Sequence, residues 1–222
     1  MPRQSLKQEF AVVGLGRFGT SLARTLVGRG FAVLGIDRDR EIVQHLADQI
    51  TQAVVLDSTD EDALRAVDIT SFDTVVVAIG DNFEGNLMTT VALKSVGVRY
   101  VVCKATTERQ RTILLRVGAD RVVLPEHEAG RRLAYVLSGP GVLDQLELAP
   151  GYSITEIRVP RSLVGTTLIE SNLRHRFGVT VLVVKREDTL TVSPSVNYTF
   201  ASHDVLVIMG ADEDIARLHE LT

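Results

Sequence analysis

The chain has 222 residues, 45% of them hydrophobic, and a formal net charge of −4 at pH 7. This length holds one full α/β domain and a smaller second one, while mild acidity without a dense Lys/Arg stripe argues against a nucleic-acid partner, whose phosphates must be neutralised. The single cysteine excludes a disulfide framework and favours a reducing compartment. Residues 1–9 lack the apolar core of a signal peptide and no run approaches a membrane span, so any membrane role is expected to come through a partner.

The first element is the run Phe10–Val13, which enters Gly14-Leu15-Gly16-Arg17-Phe18-Gly19 and then a helix with Leu22 and Leu26 on one face. A glycine-rich loop between a strand and a helix is a phosphate cradle. Gly14 allows the tight turn, Gly16 lets backbone N–H groups approach an anion, and Gly19 lets the helix pack on the strand with its positive dipole end facing the phosphate. The strand Phe31–Asp37 follows and places Asp37 about twenty residues on, where a ribose-binding carboxylate belongs. Together these features read as a Rossmann nucleotide site. Arg17 is unusual beside a pyrophosphate that a helix already stabilises. Its fork suits terminal phosphate oxygens, so it points to ATP or ADP as readily as to NAD, unless it is a solvated helix-start arginine.

The alternation of short β-branched runs with helical periodicity continues to about residue 137, as in a parallel sheet covered on both faces. Further strands are expected at Gln52–Leu56, Thr74–Ile79, Tyr100–Ala105 and Arg121–Leu124, with helices ending at Gly30, Gly97 and Gly118. Ligands bind beyond the carboxyl ends of such strands. The third exit, Asp57-Ser58, borders an adenine ring, and residues Asp57 to Asp60 equally contain helix N-cap candidates. Ala78, Ile79 and Gly80 give the small apolar surface a ribose or base needs. Lys104 offers a point charge on the phosphate side, or is a solvated strand-end lysine. Glu126 stands where phosphate oxygens would repel it; a divalent cation such as Mg²⁺ resolves that conflict, and an acid favoured by the helix dipole is the plainer alternative. Cys103, in an apolar strand, reads as a structural residue.

Ser138-Gly139-Pro140-Gly141 stops the last helix of residues 1–137 and opens a linker over residues 138–150. Beyond it, Ser153–Val159, Thr180–Lys185, Thr189–Val192 and Asp204–Met209 read as strands, with short helices near Leu168–Phe177 and Asp212–Leu221. Residues 151–222 thus form a small α+β unit. The expected fold class is a doubly wound parallel sheet with a small C-terminal α+β domain.

Taken in order, the Gly14–Gly19 loop, Asp37, the Val76-Val-Ala-Ile-Gly80 exit, Lys104, the Gly118-Ala-Asp-Arg-Val-Val-Leu-Pro-Glu126 segment and Val205-Leu-Val-Ile-Met-Gly210 resemble the cytosolic RCK regulatory subunits of Ktr/Trk potassium transporters over essentially the full length. The resemblance implies an RCK N-terminal nucleotide domain joined by a crossover helix to a C-terminal regulatory and dimerisation domain. It further implies homodimers assembled into an octameric ring beneath a membrane-embedded potassium-translocating subunit, at the inner face of the membrane, with ATP, ADP or NAD(H) selecting ring shape. It puts phosphates on Gly14 to Gly19, ribose on Asp37, adenine near Asp57 and Ser58, terminal phosphates near Arg17 and Lys104, and a divalent cation on Glu126. Arg38 departs from the apolar residue common after the ribose acid and can contact a 2′-phosphate. The C-terminal domain resembles one that binds cyclic di-AMP in some relatives, through the segment around Ile169, Asn172 and Arg174; capping and solvating a short helix is the alternative for Asn172 and Arg174. The rival from another class is a small NAD(P)-dependent oxidoreductase, which the same loop and acid would serve. It lacks a convincing acid–base constellation, His127 being the best base available, so the chain is expected not to be an enzyme.

Overall fold

In the computed structural model the described residues are 8–138 and 141–219. The expectations for the first seven residues, for Gly139-Pro140 and for the end of the final helix at Leu221 lie outside them. The chain divides between His127 and Glu128 into two compact units.

The first unit is built on β1 (Glu9–Val13), β2 (Ala32–Asp37), β3 (Gln52–Val55), β4 (Thr74–Val77), β5 (Val101–Lys104) and β6 (Arg121–Val123), all parallel in the order β3-β2-β1-β4-β5-β6. Its helices are α1 (Arg17–Gly28), α2 (Arg40–Leu46), α3 (Glu61–Ala66), α4 (Phe83–Ser95) and α5 (Glu108–Arg116). Helices on both faces explain why the strands read as continuous apolar runs: Ala11, Val13, Val75 and Val77 bury against one layer, Val12 and Val33 against the other. Gly30, Gly97 and Gly118 all take positive φ, at 87°, 97° and 110°. The chain order reverses direction beside β1, so a crevice opens between the carboxyl ends of β1 and β4. β4 ends at Val77, two residues before the expected end; Ala78 still donates its N–H to Val13 O at 2.7 Å, and Ala78 to Gly80 form a wall of that crevice.

α6 (Pro125–Ser138) runs across the division between the units and buries none of its residues. The second unit is a five-stranded antiparallel sheet, β10-β9-β11-β8-β7. It comprises β7 (Val142–Ala149), β8 (Tyr152–Arg158), β9 (Thr180–Arg186), β10 (Thr189–Val192) and β11 (Val205–Ala211), with short helices α7 (Leu168–Ser171) and α8 (Leu173–Phe177) and the longer α9 (Asp212–His219). Its core is Ile157, Leu173, Val184, Phe200, Leu206, Ile208 and Leu218.

Two expectations are corrected here. Most of the segment read as a linker over residues 138–150 is the strand β7, joined to β8 by a hairpin through Gly151 at φ 80°. It shows no inward alternation because Leu143, Leu146 and Leu148 are all exposed and the pairing carries two register shifts. Likewise the helix expected over Leu168–Phe177 is two helices, broken at Asn172, which takes the left-handed conformation at φ 47°.

Candidate functional site

The loop after β1 is shaped by its own backbone. Gly14 has φ 90°, and a Cβ there would meet Ile79 N at 3.1 Å; a Cβ on Gly19 would lie 1.9 Å from the Gly14 carbonyl oxygen. Both glycines are therefore required by chain packing. Gly16 differs, with an ordinary φ of −66° and nothing within 4 Å of where its Cβ would stand. The space it leaves open belongs to the crevice, which is where a close-lying ligand would need it.

Gly16 is also the N-cap of α1, with no side-chain cap and no acidic residue in the first turn. The exposed end of a twelve-residue helix thus carries neither a side-chain cap nor an acid in its own first turn. The other helices of this unit are treated differently. Asp39 caps α2, Asp60 caps α3, Asn82 caps α4 and Thr107 caps α5. Among α1 to α5 the uncapped N-terminus is the one at the glycine loop, and an anion is its natural complement.

Asp37, at the end of β2, turns back onto the loop. Its Oδ2 accepts from Leu15 N–H at 2.7 Å and its Oδ1 from Asp39 N–H at 3.0 Å. A carboxylate has about four acceptor sites, so both oxygens can still accept from a ribose. Of the cap candidates from Asp57 to Asp60, Asp60 takes the role, accepting from Asp62 and Ala63 N–H. Asp57 forms its own turn with the Thr59 N–H and hydroxyl, and these, with Arg38 nearby, hold its carboxyl below the usual carboxylate range. Beside it the buried hydroxyls of Ser58 and Thr89 pair at 2.7 Å.

Gly14, Gly16, Asp37, Arg38, Asp57, Ser58, Ala78, Ile79 and Gly80 all line one cavity of about 540 Å³. Leu15 and Arg17 line an adjoining groove between α1 and α2, which shares Gly16 and Ile42 with that cavity. Phe18 and Gly19 pack behind the loop. Lys104 approaches from β5: a Cβ on Gly80 would meet its Nζ at 3.0 Å, and the Phe18 ring centroid is 5.8 Å from it. Thr59, at the third strand exit, and Asn82, at the fourth, also line the cavity, as do Met88 and Thr89, which no strand exit predicts. The available signal was the run Asn86, Thr89 and Thr90 on α4, polar residues that are all buried on one helix.

Glu126, in the first turn of α6, pairs with Lys104 at 2.7 Å. That contact, more than the helix backbone or Arg17, holds its carboxyl below the usual value. The carboxylate expected to need a divalent cation thus has a lysine facing it. Its side chain is 61% exposed, and no group of three or more His, Cys, Asp or Glu able to hold a metal occurs among the described residues. A hard cation at Glu126 would have to complete its shell with water and phosphate oxygens.

In the second unit, Ile169 is exposed and its N–H donates to Val196 O. Asn172 is the left-handed C-cap of α7, its N–H donating to Ile169 O, and the N-cap of α8, where its side chain makes no cap bond, so the capping alternative holds for it through the backbone. Arg174 lies exposed on α8.

A six-stranded sheet of this order, with a glycine turn feeding an uncapped helix and an acid closing the second strand, defines the Rossmann-type nucleotide-binding class. More particularly, the chain belongs to the TrkA family: the TrkA-N domain matches residues 10–125 and the TrkA-C domain residues 154–222. It is 36% identical to Ktr system potassium uptake protein C of Bacillus subtilis, covering 97% of each chain, and 36% identical to Ktr system potassium uptake protein A of the same organism, covering 95% of each. Among solved structures it matches the GsuK RCK domain with a TM-score of 0.70 at 20% identity, covering all of this chain and 48% of that one. The chain thus spans about half the length of the GsuK chain, and at that identity the likeness establishes the fold. No helix among the described residues is long and apolar enough to cross a membrane.

Proposed function

We propose that this chain is the nucleotide-responsive regulatory subunit of a Ktr-type potassium transporter, not itself an enzyme, peripheral to the inner face of the membrane through a potassium-translocating partner. The observation that carries the reading is the uncapped α1 N-terminus at the mouth of a cavity leading from Asp57 past Asp37 to Gly80. Likeness over 97% of the chain to a potassium uptake protein supports the transport role.

In this reading adenine lies by Asp57 and Ser58, ribose on Asp37, and phosphates on the Gly14–Gly19 backbone, with Arg17 and Lys104 reaching the terminal oxygens. ATP and ADP are the preferred ligands. A solved GsuK channel is bound to NAD and another GsuK structure to ADP, which supports both nucleotide kinds as candidates. Arg38 would favour a 2′-phosphate while Asp37 would repel one. Mg²⁺ or a similar cation would be held by Glu126 together with the terminal phosphate, once that phosphate draws Lys104 away from the carboxylate. The nucleotide domain then corresponds to the first unit, residues 1–127, and the regulatory domain to the second, residues 128–222, which includes β7 and is open to cyclic di-AMP through Ile169, Asn172 and Arg174.

The subunit would act as a homodimer assembled into an octameric ring. In support, α6 presents Leu133 and Leu137 to solvent, and β7 presents Leu146 and Leu148, on a chain whose other unit buries its sheet on both faces. A ligand shifts such an assembly only by its different affinity for two shapes. The test is titration of the purified protein with ATP, ADP, NADH and NADPH, with and without Mg²⁺, followed by calorimetry and light scattering, then reconstitution with a potassium-translocating subunit. Tight ATP or ADP binding to a large assembly, distinct scattering profiles for the two, and ATP-stimulated flux are expected. Substrate-dependent turnover of a nicotinamide would favour the oxidoreductase instead.

A further inference from the structure

Asn86 takes no part in the contacts described so far. It lies on α4, 2% exposed, and its Nδ2 donates to two carbonyls from different strand exits: Ile79 O at 2.7 Å, after β4, and Lys104 O at 2.9 Å, at the end of β5. The amide has one workable orientation. Turned over, its Oδ1 would face both carbonyl oxygens, so the nitrogen must point at them. The Oδ1 that faces the other way finds no partner among the described residues. A leucine at this position would fill similar space without burying an unpaired acceptor, which costs stability. The two donated bonds are what an asparagine adds.

Those bonds join the main chain just before Gly80, which lines the cavity, to the main chain that carries Lys104. Ile79 is followed by Gly80, a lining residue of the cavity, and the Lys104 ammonium rests against Gly80, between the Phe18 ring and Glu126. A lysine side chain is long and flexible, so where its ammonium stands depends on where its main chain is held. β4 and β5 are paired in register only as far as Val77 and Cys103, and beyond that pair the ladder no longer ties them. Asn86 bridges them there.

We propose that Asn86 is a positioning residue of the nucleotide site: by linking the carbonyls of Ile79 and Lys104 it holds the exits of β4 and β5 together and fixes the Lys104 ammonium against Gly80, within reach of a terminal phosphate. The proposal rests on the nucleotide reading above. Its effect is therefore on phosphate recognition, carried through Lys104, and not on the recognition of base or ribose.

The test compares ADP with adenosine by calorimetry in the wild type, Asn86→Ala, Asn86→Leu, Lys104→Met and the Asn86→Ala/Lys104→Met double variant, with thermal melting alongside. Asn86→Ala is expected to weaken ADP about tenfold, as for loss of one charge-assisted contact, and adenosine less than about twofold. In the Lys104→Met background the same change is expected to cost ADP almost nothing, because no ammonium remains to be placed. Asn86→Leu, which removes the orphan acceptor, is expected to melt at or near the wild-type temperature and still show the ADP loss, so it carries the test if the alanine variant folds poorly. Equal weakening of ADP and adenosine, an undiminished ADP loss in the Lys104→Met background, or wild-type ADP affinity in Asn86→Leu would each make Asn86 a packing residue only. Failure of the wild type to bind ADP at all would overturn the nucleotide reading and this proposal with it.

Discussion

The two units handle their polar groups in opposite ways. In the second, the buried carboxylate and several surface charges are paired within the chain. Asp204, fully buried, accepts from Arg186 in a bidentate pair, from Tyr198 and from Ala201 N–H; Lys185 pairs with Glu156, Arg131 with Glu147 and Arg132 with Asp144. In the first, the groups around the crevice are left partly unmet: an uncapped helix end, Arg17 with no ion pair among the described residues, and an aspartate whose lone pairs are half used. Apolar surface follows the reverse pattern, with most exposed leucines on α6, β7 and β10. Unmet polar groups around a cavity fit a charged small molecule, and exposed apolar side chains on an edge strand fit another protein chain.

Substitutions should separate the two behaviours. The largest effect is expected from Asp37→Ala, which removes the acceptor of Leu15 N–H and of the ribose together. Nucleotide affinity should fall by about 1.5–3 kcal/mol, the range for hydrogen bonds to a charged group, while circular dichroism stays that of the folded chain. Equal calorimetric affinity in variant and wild type would remove Asp37 from the site.

Asp204→Asn should do the converse, lowering stability by about 2 kcal/mol, since it leaves Arg186 facing a neutral amide, with ADP affinity unchanged. A pH dependence accompanies it. Burial opposes the charged form of Asp204, yet Arg186, the Ala201 N–H and the Tyr198 hydroxyl outweigh it and hold the carboxyl below its usual value. A carboxyl depressed in the folded state contributes stability above its unfolded pKa, and that contribution is lost as pH falls through the folded one. Denaturant midpoints of wild type and variant should therefore converge below about pH 4; a gap that stays constant to pH 3 would contradict the pairing.

Arg17→Ala should weaken ATP by about 1 kcal/mol more than ADP, because only the triphosphate loses the contact. Uniform loss across ATP, ADP and AMP would mean that the guanidinium acts through general charge. The smallest effect is expected for Glu126→Gln, which keeps shape and removes charge: the Mg²⁺ dependence of ATP binding should vanish while ADP binding without Mg²⁺ is unchanged or slightly stronger, Lys104 being freed. Retention of the wild-type Mg²⁺ dependence would exclude a cation at Glu126.

By itself the sequence determined the parallel sheet, its strand exits and the glycine loop, because buried parallel strands are written as unbroken β-branched runs and positive-φ turns demand glycine. Gly30, Gly97 and Gly118 carry that signal as plainly as Gly14 does. Tertiary structure decided what depends on partners distant in sequence. β7 is a strand only through β8, since its leucines face outward and leave no alternation to read. Which residue from Asp57 to Asp60 caps α3 turns on backbone angles, as does the break at Asn172. Lys104 against Glu126, and Asn86 between Ile79 and Lys104, join residues 22, 7 and 18 positions apart. Local propensity records a residue's own backbone preference; the polar contacts that complete this crevice come from separate strands and helices, and only their packing brings the atoms within reach.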